Sequence, residues 1–276
     1  MTQINRPDLS RVPVCTTCGT QYPEAERMTD CPVCCDERQY VGWQGQRWTT
    51  TAEIAASHEI RFEDAAGVTT LCLEPSFAIG QRAFLIPQPG GLVMWECLPA
   101  VTDAALARIA ELGGVQAIAI SHPHFYAAML EWSAALGGVP IYLHAADEDW
   151  VRFDSPLLRL WDGERFALSD TLDLVHLPGH FAGSTGLLWK TGPRPGGSLF
   201  PGDALQVAMD RRFVSFMRSY PNLIPLGPKA LKRLEDHVTS LAFSDLYGSF
   251  AGREIIGDAK ERVEASFARY CEALKG

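Results

Sequence analysis

The sequence predicts an α/β (α+β) chain of strands and helices, preceded by a small metal-binding segment. Two observations point to the strands and helices and a third to the segment. Three apolar runs stop at turns that each deliver an imidazole or a carboxylate: Val115–Ile120 before Ser121-His122-Pro123-His124, Leu172–Leu177 before Pro178-Gly179-His180, and Ser198–Phe200 before Pro201-Gly202-Asp203. Between such runs, apolar residues recur at helical spacing. Ahead of them all, Cys15-Thr16-Thr17-Cys18 and Cys31-Pro32-Val33-Cys34 form two C-x2-C pairs separated by twelve residues.

Residues 1–40 form the first unit. Each Cys pair can make a tight knuckle, and two knuckles complete a tetrahedral site of four thiolates. A segment this short has little core of its own, so a metal would supply much of its folding free energy. The spacing, with Cys18-Gly19 after the first pair and Cys31-Pro32 in the second, resembles the rubredoxin-like domain of rubrerythrins and related zinc ribbons. Zinc is the ion expected at Cys15, Cys18, Cys31 and Cys34, with iron as the alternative. Cys35 is spare, and Cys72, Cys97 and Cys271 read as apolar fillers. Residues 41–57 read as a linker that packs on the main domain through Trp43 and Trp48.

The main domain spans residues 58–276. Strands are expected at Glu59–Phe62, Val68–Glu74, Gln81–Ile86 and Leu92–Glu96, divided by turns such as Pro89-Gly90-Gly91. Thr102 reads as an N-cap, with Leu106, Ile109 and Ala110 on one face until Gly113-Gly114 ends the helix. Val115–Ile120 is apolar throughout, as a strand covered on both faces should be. A helix follows from Met129, then a strand at Pro140–Leu143. Further helices are expected at Pro228–Ser240, where proline suits the first turn, and at Asp258–Leu274.

His122, His124, His180 and Asp203 are the candidate ligands of a metal in this domain. Neutral imidazoles with one carboxylate suit zinc or iron, and strand ends on one edge of a sheet are where α/β folds place their chemistry. Pro123 makes a loop conformation the expectation for the His pair. His144, at the end of Ile141–Leu143, is a candidate for outer-shell support of the ligands or else an ordinary loop histidine, and His176 reads as a satisfied core residue. Tyr126 would either donate a hydrogen bond to a substrate oxyanion or to metal-held water, or pack under its loop; a phenol with a pKa near about 10 makes a poor zinc ligand. Arg211, Arg212, Arg218 and Tyr220, soon after Asp203, are candidates for binding an anionic substrate.

The strand-ending His-x-His, then Gly-His, then Gly-Asp, is similar to the metallo-β-lactamase fold superfamily over roughly residues 60–276. The resemblance implies an αββα four-layer sandwich with metal ligands at His122, His124, His180 and Asp203. The family's longer motif, His-x-His-x-Asp-His, fails at Tyr126 and Ala127, and its last His is missing around Tyr247-Gly248-Ser249-Phe250. These are residues that would complete a second metal site, so one zinc or iron ion is expected. The resemblance implies a metal-dependent hydrolase acting on an ester, thioester or lactam-type small molecule through a single metal-activated water, with Asp203 as ligand or base. Two rivals stand beside it. A mononuclear non-haem iron dioxygenase acting on a thiol or persulfide would use His122, His180 and Asp203; a non-catalytic metal-binding or scaffold protein would carry a decayed site.

Composition sets the remaining expectations. The chain has 276 residues, 47% of them apolar, enough for a large core without staples. A formal net charge of −9 argues against a nucleic-acid footprint. Met1–Val14 shows no apolar signal core, and no window approaches the roughly 18 apolar residues of a membrane span. A cytoplasmic protein with a small-molecule substrate is expected, with neither nucleic acid nor membrane as partner, and an oligomer is left open.

Overall fold

The structure, a computed structural model, describes residues 8–23 and 28–275. The start of the Met1–Val14 stretch and part of the spacer between the Cys pairs lie outside the described residues. Two large sheets face each other. The first runs in the order Glu59–Ala65, Val68–Glu74, Ala83–Gln88, Gly91–Trp95, Val115–Ala119, Ile141–His144, Leu158–Trp161. It opens with antiparallel pairs and turns parallel from Gly91–Trp95 onward. The second runs Arg165–Ala167, Leu172–His176, Thr185–Trp189, Ser198–Phe200, Asp245–Tyr247, Glu254–Ile255, with Ser198–Phe200 and Asp245–Tyr247 parallel.

Burial explains the layering. Phe84, Ile86, Trp95 and Ala119 of the first sheet close on Leu172, Leu187, Phe200 and Tyr247 of the second. Phe200 stacks on Tyr247 with ring centroids 4.8 Å apart. The helices Asp103–Glu111 and Met129–Ala135 cover the outer face of the first sheet. Pro228–Thr239 and Ala259–Ala273 cover the second. The result is the four-layer αββα order. Thr102 caps its helix as expected, accepting a hydrogen bond from the Ala105 N–H at 3.2 Å.

Several expectations are revised. The 41–57 stretch is only partly a linker: Trp48–Thr50 pairs with Pro13–Cys15, and Thr51–Ser57 is a helix. Its start is a capping box in which Thr50 and Glu53 exchange hydrogen bonds, a Thr-x-x-Glu signal present in the sequence. Trp43 packs on nothing and stands fully in solvent. Trp48 instead meets Tyr22 of the cysteine unit edge-on at 5.8 Å. Of the three filler cysteines only Cys97 is fully buried; Cys72 and Cys271 are half-buried. Among the described residues no helix is long and apolar enough to cross a membrane.

The cysteine unit is docked on the main domain. Gln21 donates its backbone N–H to Ala127 O at 3.1 Å and its amide to Glu131 at 2.9 Å. On the other side, Asn222 Nδ2 donates to Glu37 O and Gln39 O, and Ser219 Oγ to Arg38 O. Arg218 pairs with Glu37 across the same seam.

Candidate metal centre

The strand Val115–Ala119 runs out at Ile120, and His122 is still extended (φ −169°, ψ 170°). Pro123 then starts a 3-10 turn over Pro123–Phe125, so His124 swings back beside His122. His180 comes from the loop after Leu172–His176, and Asp203 from a 3-10 turn after Ser198–Phe200. The three imidazole centroids form a near-equilateral triangle with sides of 5.0, 4.9 and 5.0 Å. Asp203 Oδ2 lies 3.5 Å from His122 Nε2, and His180 Nε2 lies 3.2 Å from His124 Nδ1.

Gly202 permits this closeness. Its φ is +57°, and a Cβ there would fall 2.5 Å from the Ser121 side chain. The second close approach is at Gly183, where a Cβ would meet the Asp147 carboxyl at 2.8 Å.

The four side chains are buried, and one potential ligand atom from each lies within 4.8 Å of all the others. His122 Nε2 and His124 Nε2 are sealed from solvent without a hydrogen-bond partner. Buried polar atoms are rarely left so unless something else satisfies them. Burial, reinforced by the other two imidazoles, holds His124 well below the usual histidine range. Burial and His122 bring His180 down to about 3, against the opposing pull of Asp203. Neutral imidazole is the form that coordinates metal, so the donor set fits a zinc or iron ion. The cysteine unit passes the same test: Cys15, Cys18, Cys31 and Cys34 are buried with their sulfurs within 4.8 Å of one another.

Groups that the sequence did not mark orient these ligands. Ser121 Oγ is 2.7 Å from His122 Nδ1, and His180 Nδ1 is 3.1 Å from Met217 O. Each contact leaves the opposite ring nitrogen facing the cluster. Replacing Ser121 with Ala is expected to weaken metal uptake at this centre about 10–100-fold, the usual effect of losing such a partner; competition with a chelator measures it. Beneath Ser121 lies Glu96, fully buried, accepting the Ser121 N–H at 3.0 Å. Burial raises the Glu96 carboxyl to about 8. With the folded value above the unfolded one, its contribution is complete below about pH 4.5 and is lost as pH rises through 8. Metal-free protein should therefore lose stability over that window at up to about 1.4 kcal/mol per pH unit, and Glu96→Gln should flatten the slope in denaturant titrations.

An opening of about 220 Å³ reaches His124, His180 and Asp203. Thr17, Gln39 and Tyr40 of the N-terminal unit form one wall, and Ile79, Gln206, Tyr220 and Phe250 form others. No Lys or Arg is among the described residues that line it. The three candidate arginines stand outside it. Arg211 donates to Gly252 O, Arg212 pairs with Asp210, and Arg218 pairs with Glu37, all away from the opening. Tyr220 does line it, but its hydroxyl is committed to Asp203 O at 3.0 Å and Ser215 O at 3.1 Å. It braces the Asp203 backbone.

Tyr126 is buried in the core beside Phe125 and Met129 and does not line the opening, so the packed alternative is the one observed. Its phenol is pushed well above its usual range by burial. His144 does not support the ligands either: its ring nitrogens meet Gly163 O and the Ala146 N–H, and it stacks on His176 at 4.2 Å. His176 is the satisfied core histidine expected, with Nε2 2.7 Å from Ala182 O.

The chain is 40% identical over 265 residues to the uncharacterised protein YmaE of Bacillus subtilis (strain 168), which covers 95% of this chain and 96% of that one. No family model matches the chain. Similar solved structures include VMB-1, with a TM-score of 0.57 and 12% identity over 78% of this chain and 98% of that one. The DIM-1 metallo-β-lactamase exposed to ceftazidime has a TM-score of 0.55 and 11% identity, covering 77% and 98%. A B3 metallo-β-lactamase with an active-site glutamic acid has a TM-score of 0.51 and 19% identity, covering 74% and 86%. At these identities the structural likeness concerns the fold alone.

Proposed function

We propose, for a chain that belongs to one family with the Bacillus subtilis protein YmaE and has the metallo-β-lactamase fold, a hydrolase that holds a single catalytic metal ion and acts on a small, uncharged ester, thioester or lactam. The convergence of His122, His124, His180 and Asp203 at the base of a narrow opening carries this reading. A bound ion would supply Lewis acidity, polarising a carbonyl oxygen and lowering the pKa of a water in contact with it. The three imidazoles would hold that ion, and the Asp203 carboxyl stands beside His122 as fourth donor or as acceptor for a proton leaving the water.

The opening selects the substrate by size and polarity. Its volume of about 220 Å³ is below the 300–1,000 Å³ of sites for drug-sized ligands. Gln39 lines the opening with a polar amide, and its Oε1 is buried without a hydrogen-bond partner. With no cation on its walls, the opening favours a neutral substrate over an anion.

A single ion is supported by what surrounds the four ligands. Tyr126 and Ala127 are packed in the core where the family's Asp and His would reach out. Among the described residues of the main domain, no second group of three ligating side chains stands close together. The experiment is anomalous scattering at the zinc and iron edges from crystals of the whole chain. One peak among the histidines and one among the cysteines is expected. Two peaks about 3.5–4 Å apart among the histidines, the spacing of two-metal sites, would overturn the single-ion reading.

A further inference from the structure

A second cavity, of about 580 Å³, opens against the Gly179–Ala182 stretch that carries His180. Four cations line it: Arg38, Arg218, Lys229 and Arg233, and no Asp or Glu does. In a chain with a net charge of −9, such a concentration of positive charge runs against composition. Asp36 and Glu37 pair with Arg38 and Arg218 from outside the lining. Lys229 and Arg233 have no carboxylate within ion-pair distance among the described residues.

Two further features add to the charge. The Arg38 guanidinium lies 4.1 Å over the Phe181 ring, and its Nε is buried without a partner. The helix Pro228–Thr239 points its start at the same space, with no side-chain cap on Gly227 and no acid in its first turn. Lys229 in that turn opposes the helix dipole, a local cost that an anion in the cavity would remove.

We propose that this cavity binds the phosphate group of a small soluble molecule, apart from the metal centre. Guanidinium forks match phosphate oxygens in pairs, and Lys229 and Arg233 would supply the charge that the pairing carboxylates leave uncompensated. The metal opening, with no Lys or Arg on its walls and the Asp203 carboxyl at its base, does not offer the same recognition.

The test is calorimetric titration of the full chain with inorganic pyrophosphate and, in parallel, inorganic phosphate. Binding with a Kd of about 1 mM or tighter is expected, and Lys229→Ala with Arg233→Ala should weaken it about tenfold or more. Both residues are exposed, and Lys229→Gln alone should give a smaller loss if the double variant folds poorly. Because phosphates also chelate metals, His124→Ala serves as the control and should leave the affinity unchanged. No binding at about 10 mM, equal binding by the double variant, or loss of binding in His124→Ala would overturn the proposal. So would binding only to phosphatidic-acid vesicles and not to the soluble ions.

Discussion

Cys31→Ser is expected to release the ion of the N-terminal unit and, with it, one wall of the metal centre that later parts of the chain build. Cys31 Sγ lies 3.6 Å from Cys18 Sγ, and Cys15 Sγ lies 3.6 Å from Cys34 Sγ, all at the centre of the unit's small core. Apart from Tyr22 and Val33, that core of fully buried side chains is the cysteines themselves. Structural zinc in comparable small units carries an apparent binding free energy on the order of 10–16 kcal/mol, so losing a ligand should abolish the unit's fold. The segment that follows Cys34 supplies Gln39 and Tyr40 to the opening. Elemental analysis should therefore fall by about one metal per chain, the contribution expected of a single four-thiolate site. Melting should lose cooperativity, and turnover should drop although no ligand of the main centre has changed. Cys35→Ser, at an exposed thiol outside the cluster, should leave all three readouts as in wild type. Full metal content and an unchanged melt in Cys31→Ser would refute the four-thiolate site.

His180→Ala should produce the other large effect. It removes one corner of the imidazole triangle and leaves His122 and His124 with a buried void between them and Asp203. Loss of an outer-shell partner typically costs about 10–100-fold in metal affinity or activity, and loss of a ligand itself should exceed that. Metal at the main centre should become undetectable after dialysis while the cysteine site keeps its ion. Ester or thioester hydrolysis should fall to background. Hydrolysis undiminished in this variant would place the chemistry elsewhere in the molecule.

Much of this centre was legible because the chemistry sits where apolar runs end. A strand buried on both faces is a mostly apolar stretch, interrupted by Asp173 and His176 in Leu172–Leu177, and its stop ahead of His122, His180 or Asp203 marks the sheet edge without knowledge of the pairing. The cysteine unit was legible for a related reason: C-x2-C fixes two ligands by local geometry alone. What could not be read depends on contacts between distant segments. Glu96 and Ser121 meet across neighbouring strands 25 residues apart, and no pattern at either position announces the pair. Gln39 faces the histidines only because its unit docks on Ser219 and Asn222. Arg211 and Arg212 follow Asp203 closely in sequence, but the chain turns away after it and they bond to Gly252 and Asp210. The helix at Thr51–Ser57 is different, since its Thr50–Glu53 box was present to be found.

The seam between Arg38 and Ser219 joins residues 181 positions apart. On a ribosome adding about 5–20 residues per second, the cysteine unit emerges on the order of ten to forty seconds before the segment it docks against. It can take up its ion and fold in that interval, while the histidines, made later, are still without their N-terminal wall. The nascent chain thus meets cellular metal in a fixed sequence, thiolates first and imidazoles second. Once Ser219 and Asn222 arrive and the seam closes, Thr17, Gln39 and Tyr40 complete the wall of the opening over the histidines.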